Sequence, residues 1–327
     1  MDDSKFEINV LQAFHGDCIH LRFNSEGKWY NIVIDSGPAF HETGFKNLLN
    51  WINDMEEQVD LLCFTHMDDD HILAAKNYFR DSEKKTDFIK QIWINVPEDE
   101  IESAKSATLS SVCTTSANKA SKLYGCIYSR GIPHTTKILR GQTIYFGDVL
   151  VQAVLPTQAR REEYFAEWHK QKTKDKCTSA NSLDDKTANG GSIALFVWVM
   201  GKRMLFSGDA FAEDLTEVAE MWAGDGFDLI KLPHHGSNGN ITDEMLKAMK
   251  CRCFVISADG KRDRPTQATI DLLASYGRTN GTVTLYGNNP WKLEERDGIA
   301  IKTLAAESVL ISDGITLRTE QYNARKR

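Results

Sequence analysis

The chain lacks any apolar run long enough to cross a bilayer. Its longest, Ile193 to Met200, spans eight residues, where a membrane helix needs about 20. No basic-then-apolar leader opens the sequence, which starts Met1-Asp2-Asp3-Ser4-Lys5 and moves into a strand-like stretch. Together these absences give a cytoplasmic protein with no membrane partner as the expectation. A basic excess is missing too: 39 Lys and Arg stand against 46 Asp and Glu, for a formal charge of −7. That argues against a surface dominated by nucleic-acid binding, while a local basic groove stays open and cation-binding carboxylates would also push the count negative. No Cys-x-x-Cys pair occurs, and the seven cysteines (18, 63, 113, 126, 177, 251 and 253) are odd in number and scattered. This argues against a disulfide framework or a thiolate zinc knuckle. Cys63, inside Leu61-Leu62-Cys63-Phe64, reads instead as a small buried residue.

What is present is the composition of a globular protein with a full core: 41% hydrophobic and 26% charged over 327 residues. Phe6 to Phe14, Cys18 to Phe23 and Trp29 to Ile34 read as strands, parted by Gly16-Asp17 and by Asn24 to Lys28. Phe45, Leu48, Leu49, Ile52 and Met55 follow helical spacing. Val59 to Phe64 is a short strand that runs into Thr65-His66, and a helix is expected from Ile72 to Arg80, then a strand at Gln91 to Val96. The later strands are expected at Thr143–Phe146, Val149–Leu155, Ser192–Val199, Met204–Phe206, Phe227–Leu232, Phe254–Ile256 and Thr282–Tyr286, with helices at Phe211–Trp222, Glu244–Met249 and Thr269–Ala274. Two segments interrupt the alternation: helix-prone 98–129, and charged 160–188 with its tract Lys170 to Lys176, read as an inserted helix plus a mobile loop. The pattern by itself supports α/β or α+β, as a single domain over 1–327 with insertions at 98–129 and 160–188.

Three strand-like segments end in metal-binding residue types. The first delivers His66-Met67-Asp68-Asp69-Asp70-His71, the second Ser207-Gly208-Asp209-Ala210, the third Pro233-His234-His235-Gly236-Ser237. Imidazole suits zinc, and a carboxylate can hold one ion or bridge two. A solvated acidic turn capping the following helix would explain the first aspartates on its own, but not the histidines at both ends of the turn. Asp209 alone is a turn residue, and His234-His235 alone a satisfied strand end. Three such ends in one chain point to a metal centre.

With these residues in view, the sequence resembles the metallo-β-lactamase-fold hydrolases. His66-x-Asp68-x-Asp70-His71, Ser207-Gly208-Asp209 and His234-His235-Gly236-Ser237 match that family's motifs, and the most similar branch is the hydrolase domain of ComEC-type DNA-uptake proteins. The likeness extends to Phe14-His15-Gly16-Asp17-Cys18-Ile19, Ile34-Asp35-Ser36-Gly37 and Asn189-Gly190-Gly191-Ser192, and runs from about residue 6 to 305. The resemblance implies an α+β fold, a four-layer αββα sandwich with metal ligands at the sheet edges. It implies that His66 and Asp68 hold a first metal, Asp70 and His71 a second, and that Asp209 bridges them. One of His234 and His235 would complete the second site. Because neighbouring strand residues point to opposite faces, His234 is the expected ligand and His235 is expected to turn toward substrate or support a ligand. Asp17 and Asp35 are expected behind the ligands, orienting the histidines.

Two departures from the family pattern matter. Asp68 stands where many members have His, and Asn189 where a further His precedes the Ser192 strand; both make the first site richer in oxygen and open it to manganese as well as zinc. Arg264-Pro265 stands where the branch has His-Pro. Arg cannot cycle a proton at neutral pH but can hold phosphate oxygens bidentately. The resulting expectation is a hydrolase with two zinc ions that activate a hydroxide, acting on a phosphodiester of DNA or RNA, with Asp70, His235 and Arg264 as catalytic residues. Lys170 to Lys176, Lys231 and Lys261-Arg262-Asp263-Arg264 are candidate phosphate contacts, although a solvated charged surface explains the lysine tract as well. The alternatives are a small phosphoester (a nucleotide or phosphocholine-type group), a lactone or amide, and a non-catalytic binding or sensor subunit.

Overall fold

Period-two alternation in the strands decides the layers of the computed structural model, which describes residues 6–105, 119–174, 185–221, 226–261, 263–291, 296–304, 309–312, 314–320 and 322. One eight-stranded sheet holds β1 (Phe6–Val10), β2 (Ile19–Ser25), β3 (Lys28–Ile34), β4 (Leu61–Cys63), β5 (Ile92–Trp93), β6 (His134–Thr135), β15 (Val309–Ser312) and β16 (Ile315–Arg318), in the order β15-β16-β1-β2-β3-β4-β5-β6. The other runs from β7 (Thr143–Phe146) through β8 (Val149–Ala153), β9 (Leu195–Val199), β10 (Lys202–Phe206), β11 (Leu229–Lys231), β12 (Cys253–Ile256) and β13 (Val283–Gly287) to β14 (Ile299–Thr303), with its strands in chain order. Ile32, Ile34, Leu61 and Cys63 of the first sheet meet Leu195, Val197, Met204, Phe206 and Val255 of the second in one buried cluster. The intervening residues point outward, Val33 and Leu62 to one side, Phe196, Leu205, Phe254 and Ile256 to the other.

Helices cover both outer faces. The first sheet packs against α1 (Glu42–Asp54), α2 (Asp69–Arg80) and α4 (Lys119–Ser129), through Phe45, Leu48, Ile72, Phe79 and Leu123. The second packs against α7 (Ala212–Met221), α8 (Asp243–Met249) and α9 (Gln267–Asn280), through Leu215, Val218, Leu246 and Leu273. The four layers are therefore helix, sheet, sheet, helix, the arrangement that buries one apolar face of every helix and both faces of each sheet. Segment 98–129 supplies α3 (Glu98–Lys105) as well as α4, and segment 160–188 supplies α5 (Gln158–Lys174) and α6 (Asp185–Gly190). These two additions touch: Trp168 Nε1 donates to Glu100 Oε1 at 3.1 Å in a buried contact. The loop expected to be mobile, with Asp175 and Lys176, lies outside the described residues.

Strands β3 to β6 run parallel to one another, and so do β10 to β14. Their carboxyl ends therefore emerge together, which is where open parallel sheets place ligand sites. The backbone joins the two edges, since Ile193 N donates to Thr65 O at 2.7 Å.

Three expectations change. Helix α2 starts at Asp69 rather than Ile72, so Asp70 and His71 sit on its first turn instead of a loop. Strand β1 stops at Val10, because Leu11 to Phe14 turns away to form the loop that leads to Gly16. The chain also returns to the first sheet at its end, where β16 pairs parallel with β1. These last strands are only four residues each, too short for their alternation to stand out in the sequence.

Glycine usually costs a helix about 1 kcal/mol relative to alanine, yet Gly277 in α9 cannot be replaced at a gain. A Cβ there would lie 1.8 Å from the Gly298 carbonyl oxygen and 3.1 Å from Val283 N. The clash is with backbone, so helix and strand must separate. Gly277→Ala is expected to lower unfolding free energy by at least about 1–3 kcal/mol, read from denaturant midpoints. An unchanged or raised midpoint would show that this contact gives way freely.

Candidate metal centre

The site forms where four carboxyl ends meet. Asp35 follows β3, Thr65 and His66 follow β4, Asp209 follows β10, and His234 and His235 follow β11. Asp35, with φ of 59°, is fully buried and accepts three hydrogen bonds at 2.8 Å, from Thr65 N, from Thr65 Oγ1 and from His71 Nδ1. A carboxylate so committed is a fixed support for the residues in front of it.

The hydrogen-bond network sets the tautomer of four imidazoles. His71 Nδ1 donates to Asp35, and His235 Nδ1 to the Ser257 carbonyl at 2.9 Å. Because the Thr65 hydroxyl spends its hydrogen on Asp35, its oxygen accepts from His66 Nδ1 at 3.0 Å. Asn240 donates its amide to the Asp209 and Ala210 carbonyls, which leaves its Oδ1 to accept from His234 Nδ1 at 2.8 Å. Every Nδ1 thus carries a proton, so each Nε2 is the nitrogen that can face an ion when its ring is neutral.

All four Nε2 atoms face one oxygen. Asp209 Oδ2 lies 3.9 Å from that of His66, 3.5 Å from His71, 3.7 Å from His234 and 3.8 Å from His235. Asp68 Oδ2 stands 3.5 Å from His66 Nε2, and Asp70 Oδ2 stands 3.5 Å from His235 Nε2. These separations exceed hydrogen-bond lengths and suit atoms that share an ion. The Nε2 atoms of His66, His71 and His235, with Asp68 Oδ1 and Asp209 Oδ1, are buried without hydrogen-bond partners. Each such atom costs about 1–3 kcal/mol if left unsatisfied. His66, His71 and Asp209 form one group that could hold a cation, and Asp70, His71 and His235 form another. The donor set therefore fits two adjacent divalent ions. Asp68 caps α2 in position, but its side chain makes no capping hydrogen bond, so the acidic-cap explanation does not account for it.

The histidine pair does not behave as a strand. His234 and His235 have φ of 50° and 54°, a left-handed turn, so both rings swing toward Asp209 rather than to opposite faces. His234 Nε2 lies 3.7 Å and His235 Nε2 3.8 Å from the same Asp209 oxygen, so neither ring is turned away from it. His235 is fully buried beside Asp70 and His71, while His234, with 12% of its side chain exposed, lies on the more open side near Asn189, whose amide is 3.3 Å from its Nδ1.

The charges explain how so polar a cluster stays buried. Burial alone would lower the pKa of His71 and His235, but the Asp209 carboxylate, with Asp35 or Asp17, outweighs it; His71 rises well above its usual value and His235 to about 9. Burial would raise Asp70 and Asp209, yet the surrounding imidazoles hold both below the carboxylate range. His234 is lowered, by burial and by the nearby Arg264 guanidinium despite the Asp209 charge.

Lys231 has a different place from the one expected. It is buried, its ammonium bonded to Asp17, 3.3 Å from the Gly208 carbonyl and 4.0 Å from Asp209 Oδ1, so it faces the carboxylates and not a phosphate. Lys170 pairs with Glu167 at 3.3 Å and Lys261 with Asp259 at 3.7 Å on exposed surface; Arg262 lies outside the described residues. Arg264 is half-buried next to His234. Sequence reasoning missed Thr65, Asn240 and Ser257, because their hydrogen bonds to the site run across loops with no motif of their own.

Removing one partner of a buried ion pair strands the other charge, at about 3–5 kcal/mol. Lys231→Met should lower stability by that order in denaturant unfolding, and adding Asp17→Asn should restore most of it. Equal stability of the single and double variants would mean the pair is not coupled.

No protein-family model matches the chain. Over 236 residues, 69% of its length, it is 23% identical to ComE operon protein 3 of Bacillus subtilis (strain 168), and the match spans 24% of that protein, about a quarter of the relative's length. Among solved structures it is similar to the metallo-β-lactamase fold protein YhfI from Bacillus subtilis, at 11% identity and a TM-score of 0.44, covering 81% of this chain and 92% of that one. It is also similar to CmlA, a diiron β-hydroxylase from Streptomyces venezuelae, at 12% identity and a TM-score of 0.43, covering 86% of this chain and 52% of that one. No helix among the described residues is long and apolar enough to cross a membrane. Two facing sheets between helical layers, with His66, Asp68, Asp70, His71, Asp209, His234 and His235 gathered at one edge, give this chain the αββα layer order that its resemblance to metallo-β-lactamase-fold proteins implied, and its sequence is similar to ComE operon protein 3.

Proposed function

We propose that this protein is a metal-dependent phosphodiesterase whose substrate is DNA or RNA, with zinc, or alternatively manganese, as the metal. One observation carries the reading: four imidazole Nε2 atoms converge on Asp209, with the Asp68 carboxylate beside His66 and the Asp70 carboxylate beside His235. His66 and Asp68 would hold one ion; Asp70, His71 and His235 the other; Asp209 would lie between them. The exposed edge of His234 leaves its Nε2 to complete the first ion's set, where Asn189 replaces a histidine. Two divalent cations in these places would supply water activation and charge neutralisation for phosphoester hydrolysis. The chain's own part is orientation: Asp35, Thr65, Asn240 and Ser257 fix the rings, and burial excludes stray water. Arg264, whose charge reaches His234, would hold a non-bridging phosphate oxygen.

Asp209→Ala should remove activity and drop metal content from two ions per chain to below one, by elemental analysis after gel filtration. Two tightly held ions in that variant would sink the bridging role, and a wild-type protein without stoichiometric metal would favour a non-catalytic binding subunit. His235→Ala should lose more metal than His234→Ala.

For Arg264, the expected loss in Arg264→Ala is about 2–4 kcal/mol of transition-state stabilisation, by analogy with a removed oxyanion donor. Arg264→Lys, which keeps the charge without the fork, should recover part of it, and the pH–rate profile should keep its shape in both. Kinetics within twofold of wild type for Arg264→Ala would make it an ordinary surface residue.

A further inference from the structure

Next to the metal centre the chain exposes two aromatic rings without burying them. Phe40 is 65% exposed and Phe14 39%, and their rings meet edge to face at 5.5 Å, with the His15 ring 5.7 Å from Phe40. Phe14 is held at φ of 58°, a conformation a bulky side chain rarely adopts and one that marks functional loops. The loop that carries it is pinned to the site: Gly16 packs so closely on Asp70 that a Cβ would lie 1.9 Å from the Asp70 carbonyl oxygen, and its own carbonyl accepts from Ser257 Oγ at 2.7 Å. Phe14 is two residues from Gly16, so its Cα is within about 8 Å of that contact. Behind the rings opens a cleft of about 330 Å³, edged by Gln12, Asn47, Asp259 and Asn289, with neither Lys nor Arg among its described lining residues. Such a cleft suits an uncharged, flat, hydrogen-bonding group and not a phosphate.

We propose that Phe14 and Phe40 form a stacking ledge for a nucleobase of the substrate whose phosphate lies at the metal centre. The proposal rests on the phosphodiesterase reading and specifies it as one for nucleotide substrates. Ring faces stack on any base, and the Asn47 amide, the second Gln12 amide hydrogen and the Asp259 carboxylate offer donors and an acceptor to its edge. Phe14 Cα lies within about 8 Å of the Gly16–Asp70 contact, a reach that one nucleotide can span between its phosphate and its base.

The test uses the metal-loaded full chain with a thymidine tetranucleotide and the same backbone carrying abasic tetrahydrofuran sites. Wild type should cleave the thymidine substrate with roughly tenfold or greater kcat/KM. Phe40→Ala, at an exposed position where folding is safe, should erase most of that preference through KM, and Phe40→Tyr should retain it. Saturation-transfer NMR of thymidine 5′-phosphate gives a second readout, with the base protons saturated in wild type and not in Phe40→Ala. Equal cleavage of both substrates by wild type, or an equal loss on both in Phe40→Ala, overturns the ledge. If neither substrate is cleaved the phosphodiesterase reading fails, and base saturation that vanishes in Phe40→Ala still supports the ledge; no saturation overturns it too.

Discussion

The structure turns on concentrated negative charge kept out of water. Asp17, Asp35 and Asp209 are at most 2% exposed, and taking an ion of that kind into a low-dielectric interior costs several kcal/mol even after relaxation. Nothing apolar can compensate for that. Lys231 balances Asp17, the imidazoles face Asp209 and Asp70, and a bound pair of cations would complete the neutralisation. This requirement fixes which groups must be neighbours before any chemistry is considered.

Geometry then follows from the ends of parallel strands. Asp35, His234 and His235 all take left-handed backbone conformations, each costing of order 1–3 kcal/mol outside a context that enforces it. The facing sheets supply that context, since the strands leading into these residues are buried on both sides. The two layers of contact are separable: one set of atoms faces the ions, another holds each ring by Nδ1. Around this rigid centre the polar Arg264 and the aromatic Phe14 and Phe40 occupy more exposed loops, where a substrate's charged and flat parts would each find a partner.

Most of the residues that gather at the site could be read from the chain, because metal-binding residue types follow short apolar runs at Thr65-His66, Gly208-Asp209 and His234-His235. The roles of the last pair could not. The opposite-face rule applies to a strand, and Pro233 to Gly236 turns instead; one positive φ after another puts both rings on the same oxygen. Lys231 illustrates the same limit. A lysine reads as a surface charge until the sheet it belongs to places it against Asp17, 214 residues away.

Local patterning thus determined the strands and the residues capable of holding metal, since alternation and residue chemistry act over a few positions, while the two facing sheets followed from the resemblance and not from the pattern. The tertiary structure alone decided which nitrogen of each histidine faces inward, which of His234 and His235 joins Asp70, that the chain's end closes the first sheet, and that Phe14 and Phe40 stand together outside. All of these depend on contacts between segments far apart in sequence, and no short-range periodicity encodes such contacts.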